Sequence, residues 1–143
     1  MFRFDQRLSE RIKELDPDFA LAYRALGSAH NSRREIALAA AAEKKCYDLR
    51  TRMTEPNRFL AETLYYDVVT GDWEKAYTIL SEWVQTFPRD VLAHSNFARC
   101  VSLLGQPERA ADEARESVRL LPTPVRYNVL IAFSIFADRL NEA

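Results

Sequence analysis

Gly71-Asp72-Trp73-Glu74-Lys75-Ala76, followed by Leu80 and Pro88, and then Gly105-Gln106-Pro107-Glu108-Arg109-Ala110, followed by Ala114 and Pro122, are the stretches that decide the fold. Gly71 and Gly105, Ala76 and Ala110, and Pro88 and Pro122 are each 34 residues apart. Three coincident intervals define a repeat, and a period of that length in a helical chain points to stacked helix–turn–helix units. The glycines suit the left-handed turn that ends a helix, and the alanines suit close helix contact.

Working outward, Tyr23-x2-Leu26-Gly27-x2-His30, then Ala39, forms an earlier unit, preceded by Leu15-Asp16-Pro17. Its departures are Glu43, where an aromatic is expected, and Arg34, where the later units carry the turn glycine. A further unit reads His94-x2-Phe97-Ala98-x2-Val101, and Asn128-x2-Ile131-Ala132-x2-Ile135 reads as the front half of another. Pro17 to Pro88 spans 71 residues, two periods plus three, so three residues are inserted. The polar stretch from Arg50 to Asn57, which holds Pro56, is the expected place. Counting back from Ala76 then puts Leu60, Thr63, Leu64 and Asp67 in inward slots. Asp67 conflicts there, and a reset of helix phase would turn Tyr65, Tyr66 or Val68 inward instead.

This pattern resembles the tetratricopeptide repeat, W-x2-L-G-x2-Y, then A-x3-F, then P. The resemblance implies an all-α, right-handed α-solenoid of antiparallel helix pairs. About eight helices are expected, at 4–15, 18–32, 35–50, 57–69, 72–86, 90–104, 107–121 and 124–139. Residues 1–143 are read as one domain. Its parts are a back helix (1–17), unit 1 (18–50), unit 2 with the inserted connection (51–88), unit 3 (89–122) and a front helix (123–143). Asp18, Asp72, Asp90 and Thr123 are expected helix caps. Tyr23, Trp73, Trp83 and Phe97 are expected to fill the gaps left by the small residues.

Composition agrees. Three glycines and six prolines in 143 residues are too few for a sandwich or barrel, which needs a turn every eight to twelve positions. With 20 Lys and Arg against 21 Asp and Glu, the chain lacks the basic surface that nucleic acid demands. The longest apolar runs fall well short of the ~20 residues that span a bilayer, and the charged first residues do not form a signal peptide. A soluble protein without direct membrane contact is expected, with its compartment unassigned. Cys46 and Cys100 have no metal-ligand spacing and read as buried thiols, with a disulfide as the alternative. His30 and His94 occupy aromatic slots and read as packed side chains. Zinc, P-loop, dinucleotide and nucleophile-elbow motifs are all missing, so neither an enzyme nor a cofactor is expected.

In a repeat solenoid the front helices line a concave surface. The residues placed to face it are Leu21, Arg24, Ser28 and Asn31 on the first front helix, Arg58, Ala61, Tyr65 and Val68 on the second, Leu92, Ser95, Arg99 and Ser102 on the third with Asn96 beside them, and Arg126, Val129, Phe133 and Phe136 on the fourth. Arg forks hold carboxylates and the aromatics supply apolar contact, so a protein or peptide with acidic character is the expected partner. The carboxylate clamp of the family is not reproduced, because Glu62 and Leu92 occupy two of its positions. The stretches Leu15 to Tyr23 and Tyr65 to Trp73 also resemble the repeat-bearing tails of bacterial receptor-type serine/threonine kinases and related signalling regulators. That implies a docking part of a larger signalling protein. The alternative is a homo-oligomer formed through the final helix, whose Ile131, Ile135, Phe136 and Leu140 would be poorly covered.

Overall fold

The computed structural model describes Arg11 and residues 19–141, with side chains through Asp138. Of the expected helix at 4–15 only Arg11 is described, in helical conformation, and the cap at Asp18 lies outside the described residues. Those residues form seven α-helices and divide into two compact units, one ending at Asp72 and the other beginning at Trp73. The protein is all-α and built of antiparallel helix pairs.

The first unit contains α1 (Ala20–Ser32), α2 (Ile36–Asp48) and α3 (Glu55–Leu64). A three-residue 3-10 turn, Arg50–Arg52, connects α2 to α3, and α3 runs on into a π-helical segment, Tyr65–Thr70. The small residues Ala22, Ala25, Gly27, Ala39, Ala42 and Ala61 are buried. Tyr23, Cys46 and Ala61 form a core cluster, with Leu49 and Met53 packed on it. Burial pushes the Cys46 thiol up to about 12. Cys46 and Cys100 are both buried and are not joined in a disulfide.

Gly27 does not simply bring two backbones together. A side-chain Cβ at this position would overlap Glu43 Oε1 and come within 2.7 Å of its Cδ, so the missing side chain makes room for a carboxyl group. Glu43 is only 3% exposed and its Oε2 has no hydrogen-bond partner. Burial raises its pKa to about 7, against the opposing pull of Arg24. The slot expected to hold an aromatic therefore holds a carboxyl group that burial drives toward its neutral form.

The second unit contains α4 (Trp73–Thr86), α5 (Val91–Leu103), α6 (Pro107–Leu120) and α7 (Pro124–Asn141). Ala76, Leu80 and Trp83 recur at helical spacing and bury one face of α4, while Phe97, Ala98 and Val101 do so on α5 and Ala110, Ala114 and Val118 on α6. Asp90 caps α5, its Oδ1 accepting from Leu92 N–H at 2.9 Å, and its Oδ2 accepts from Trp83 Nε1–H at 3.1 Å. One carboxylate thus starts α5 and ties it to α4. Trp73, expected inside, is exposed: it is the first residue of α4, at the end of the stripe formed by Ala76, Leu80 and Trp83.

The turns preserve the repeat in backbone geometry. Gly71 and Gly105 adopt φ of 68° and 73°, and Arg34 adopts 60° at the equivalent place. Glu35 N–H donates to His30 O at 3.0 Å, and 71 residues later Gln106 N–H donates to Val101 O at 2.9 Å.

Candidate functional site: a cleft between α5, α6 and α7

Thr123 stands just before α7, and its Oγ1 accepts from Arg126 N–H at 3.4 Å, the bond of an N-cap. Pro124 follows at the first helical position, where its missing N–H costs nothing. Thr123 Oγ1 also accepts from Arg126 Nη1–H at 3.1 Å, so the cap orients the guanidinium. Arg126, Leu130, Phe133 and Ala137 follow the 4–3–4 spacing of one helix face and, with Ser134, are the better covered of the described side chains of α7. The repeat-core slots Asn128, Ile131, Ala132 and Ile135 are exposed, as are Val125 and Phe136.

Between α5, α6 and the start of α7 lies a cleft of about 200 Å³ lined by Ser95, Ala98, Ala114, Ser117, Val125, Arg126 and Val129. Alanines keep it open, because a larger side chain at Ala98 or Ala114 would fill it. Ser95 Oγ and Ser117 Oγ are 2.8 Å apart. Arg126 contributes the cleft's charge, and its Nε is buried without an acceptor. A buried N–H with no partner is energetically costly, which makes this edge of the guanidinium a ready donor.

The expected site residues are distributed as follows. In the second unit Arg126 lines the cleft, together with Ser95 and Val129. Phe133 is half-buried on the covered face of α7. Asn96 folds back on its own helix, its Nδ2–H donating to Leu92 O at 2.8 Å, and Arg99 is exposed. In the first unit Arg24 is half-buried and electrostatically coupled to Glu43, and Asn31 is exposed in the last turn of α1. Tyr65 stacks on Tyr47 with ring centroids 4.0 Å apart, and Tyr66 meets both rings edge-on. Arg50 covers the Tyr47 ring at 3.8 Å and pairs with Glu62 at 3.2 Å, so the carboxylate at the clamp position is already partnered. Tyr47 is raised to about 12, first by its hydrogen bond to Tyr66 and then by burial.

Sequence reading missed the role of Ser117 and the carboxylates facing both histidines. His94 is buried, with Nε2 3.0 Å from Pro88 O and Nδ1 2.7 Å from Glu113 Oε2. The carbonyl can only accept, so Nε2–H faces Pro88 O and Nδ1 faces the carboxylate. His30 Nδ1 lies 2.5 Å from Glu35 Oε2. Glu113 and Glu35 carry no signal in the 34-residue pattern that would have singled them out. Among the described residues, no group of three or more His, Cys, Asp or Glu side chains is placed to hold a metal ion, and no helix is long and apolar enough to cross a membrane.

No protein-family model matches the chain, and no curated protein does. Solved structures do. TTC0263, a thermophilic tetratricopeptide-repeat protein of Thermus thermophilus, superposes with a TM-score of 0.73 and 19% identity, over 96% of this chain and 75% of that one. The fold is that of the tetratricopeptide repeat. A MamA RS-1 ArsTM double mutant matches at a TM-score of 0.57 and 18% identity, over 93% of this chain and 74% of its own. YrrB, described as a tetratricopeptide-repeat protein with an unusual peptide-binding site, matches at 0.54 and 18%, over 93% and 68%. In tetratricopeptide-repeat terms α1, α3, α5 and α7 are front helices and α2, α4 and α6 back helices. The cleft is bounded by two successive front helices and the back helix between them.

Proposed function

We propose that this chain is a non-catalytic protein-interaction module that holds a polypeptide segment against its front helices. The observation that carries the reading is the cleft, where Ser95 and Arg126, both placed on the binding face from the repeat pattern, meet around about 200 Å³ of accessible space. The fold supports a scaffold, and YrrB, of the same fold, is described as having a peptide-binding site. A place in a larger bacterial signalling protein rests on the resemblance of the stretches ending at Tyr23 and Trp73 to kinase-associated repeat tails. The test is photo-crosslinking in cells. A crosslinker at Ser95 or Val129 should trap a discrete partner, and one at Asp112 or Arg119, exposed on the back helix α6, should not. Equal trapping at both pairs of positions would defeat the front-face reading.

A second reading is favoured by the apolar face of α7, where Val125 is 72% and Ile131 54% exposed, with Ile135 and Phe136 also uncovered. Side chains of this kind favour association with a second copy of the chain. Sedimentation across a concentration series decides it: a mass that rises toward the dimer and returns to monomer in Ile131→Glu supports the reading. A constant monomer mass contradicts it.

A further inference from the structure

We infer that the cleft between α5, α6 and α7 is built for the carboxylate of an Asp or Glu side chain on the partner polypeptide. The inference rests on the front-face reading above and specifies what one position of the bound segment must be. Three observations support it. The guanidinium of Arg126 is held from one side, Nη1–H donating to Thr123 Oγ1 at 3.1 Å. Its Nε is buried and has no acceptor. Nε–H and one Nη2–H lie along the same edge of the guanidinium, so a carboxylate in the cleft, once the Arg126 side chain shifts to present that edge, takes two parallel hydrogen bonds, the pairing for which Arg and carboxylate are matched.

The hydroxyl pair points the same way. Ser95 Oγ and Ser117 Oγ lie 2.8 Å apart, so one hydroxyl hydrogen is used between them and the other is left for a third oxygen. The remaining walls, Ala98, Ala114, Val125 and Val129, are apolar and suit the methylene stem of an acidic side chain. A volume of about 200 Å³ admits one side chain and not a folded element. A neutral amide of the same shape would set its NH2 group against the guanidinium edge, and that clash of donors selects the acid over the amide.

The probe is N-acetyl-glutamate amide, compared with N-acetyl-glutamine amide, acetate and inorganic phosphate. The readout is the Arg126 Nε–H resonance of the whole chain in an NMR titration. The glutamate probe should shift it saturably, the glutamine probe should bind about tenfold more weakly or worse, and phosphate and acetate should bind more weakly than glutamate. In Arg126→Gln the glutamate-induced shifts of the Ser95 and Val129 amides should fall by about tenfold in affinity. Because that variant also loses the bond to Thr123, Ser117→Ala is the second variant. It leaves Arg126 and Thr123 in place and should weaken the glutamate probe by about threefold. Equal affinity for the glutamate and glutamine probes would overturn the inference, as would equal binding of phosphate or glutamate binding unchanged in both variants. If it fails in this way while crosslinks at Ser95 and Val129 still form, only the carboxylate assignment falls. Loss of those crosslinks removes the front-face reading itself.

Discussion

Glu43 is a buried carboxyl group in a slot where the repeat pattern expects an aromatic. Its pKa is raised from 4.5 to about 7 by burial, so between those values the folded protein holds more protons than the unfolded chain. Stability contributed by this group is therefore complete below pH 4.5 and is lost as pH rises through about 7, a change of up to about 3 kcal/mol. Denaturant unfolding from pH 5 to pH 8 should show this decline in the wild type, and Glu43→Gln should flatten it; an equally steep decline in the variant would assign the slope elsewhere. Gly27 is the other half of the arrangement. Gly27→Ala drives a methyl group into the Glu43 carboxyl and should cost about 1–3 kcal/mol. Trimming Glu43 to Ala in the same chain should recover much of the loss, a coupling that a double-mutant cycle measures. Buried Thr63 poses the opposite case. Its hydroxyl lacks a partner, so Thr63→Val should leave unfolding free energy unchanged or raise it by about 1 kcal/mol.

At the scale of elements, the turns at Arg34, Gly71 and Gly105 do the same work with different residues. Arg34 has a Cβ in left-handed backbone, so Arg34→Gly should stabilise by up to about 1 kcal/mol, whereas Gly71→Ala should destabilise by about 1 kcal/mol. Thermal midpoints moving in opposite directions would confirm the equivalence, and midpoints moving together would deny it. The period of 34 was legible because glycine, alanine and proline mark backbone requirements directly. The π-helical segment Tyr65–Thr70 was not. It lies where the pattern placed Asp67 inward, and the widened turn leaves Tyr65, Tyr66, Asp67, Val68 and Val69 all half-buried rather than choosing one of them. Its closing bond, Asp72 N–H to Tyr66 O at 2.8 Å, spans six residues, one more than the Glu35–His30 and Gln106–Val101 closures. A helix phase that changes within an element leaves no trace in a fixed-period reading. The cleft was legible in part: Ser95, Arg126 and Val129 follow from the front-helix rule. Ser117 and the unpartnered Arg126 Nε depend on how α6 and α7 pack, which no local pattern encodes.

For the whole molecule, the fold is that of the tetratricopeptide repeat. Tetratricopeptide-repeat architecture gives successive front helices whose side chains are free to vary while the small residues at the helix contacts hold the stack. The central claim of the proposed function is that the second unit holds a polypeptide against α5 and α7, with Arg126 supplying the polar anchor. The most direct test compares the partner trapped by the wild type with that trapped by the double variant Arg99→Ala and Arg126→Ala, each carrying the crosslinker at Val129, after circular dichroism has shown equal helix content. The account predicts that recovery of the crosslinked partner falls by about tenfold or more in the double variant. Equal recovery from the two proteins would contradict it.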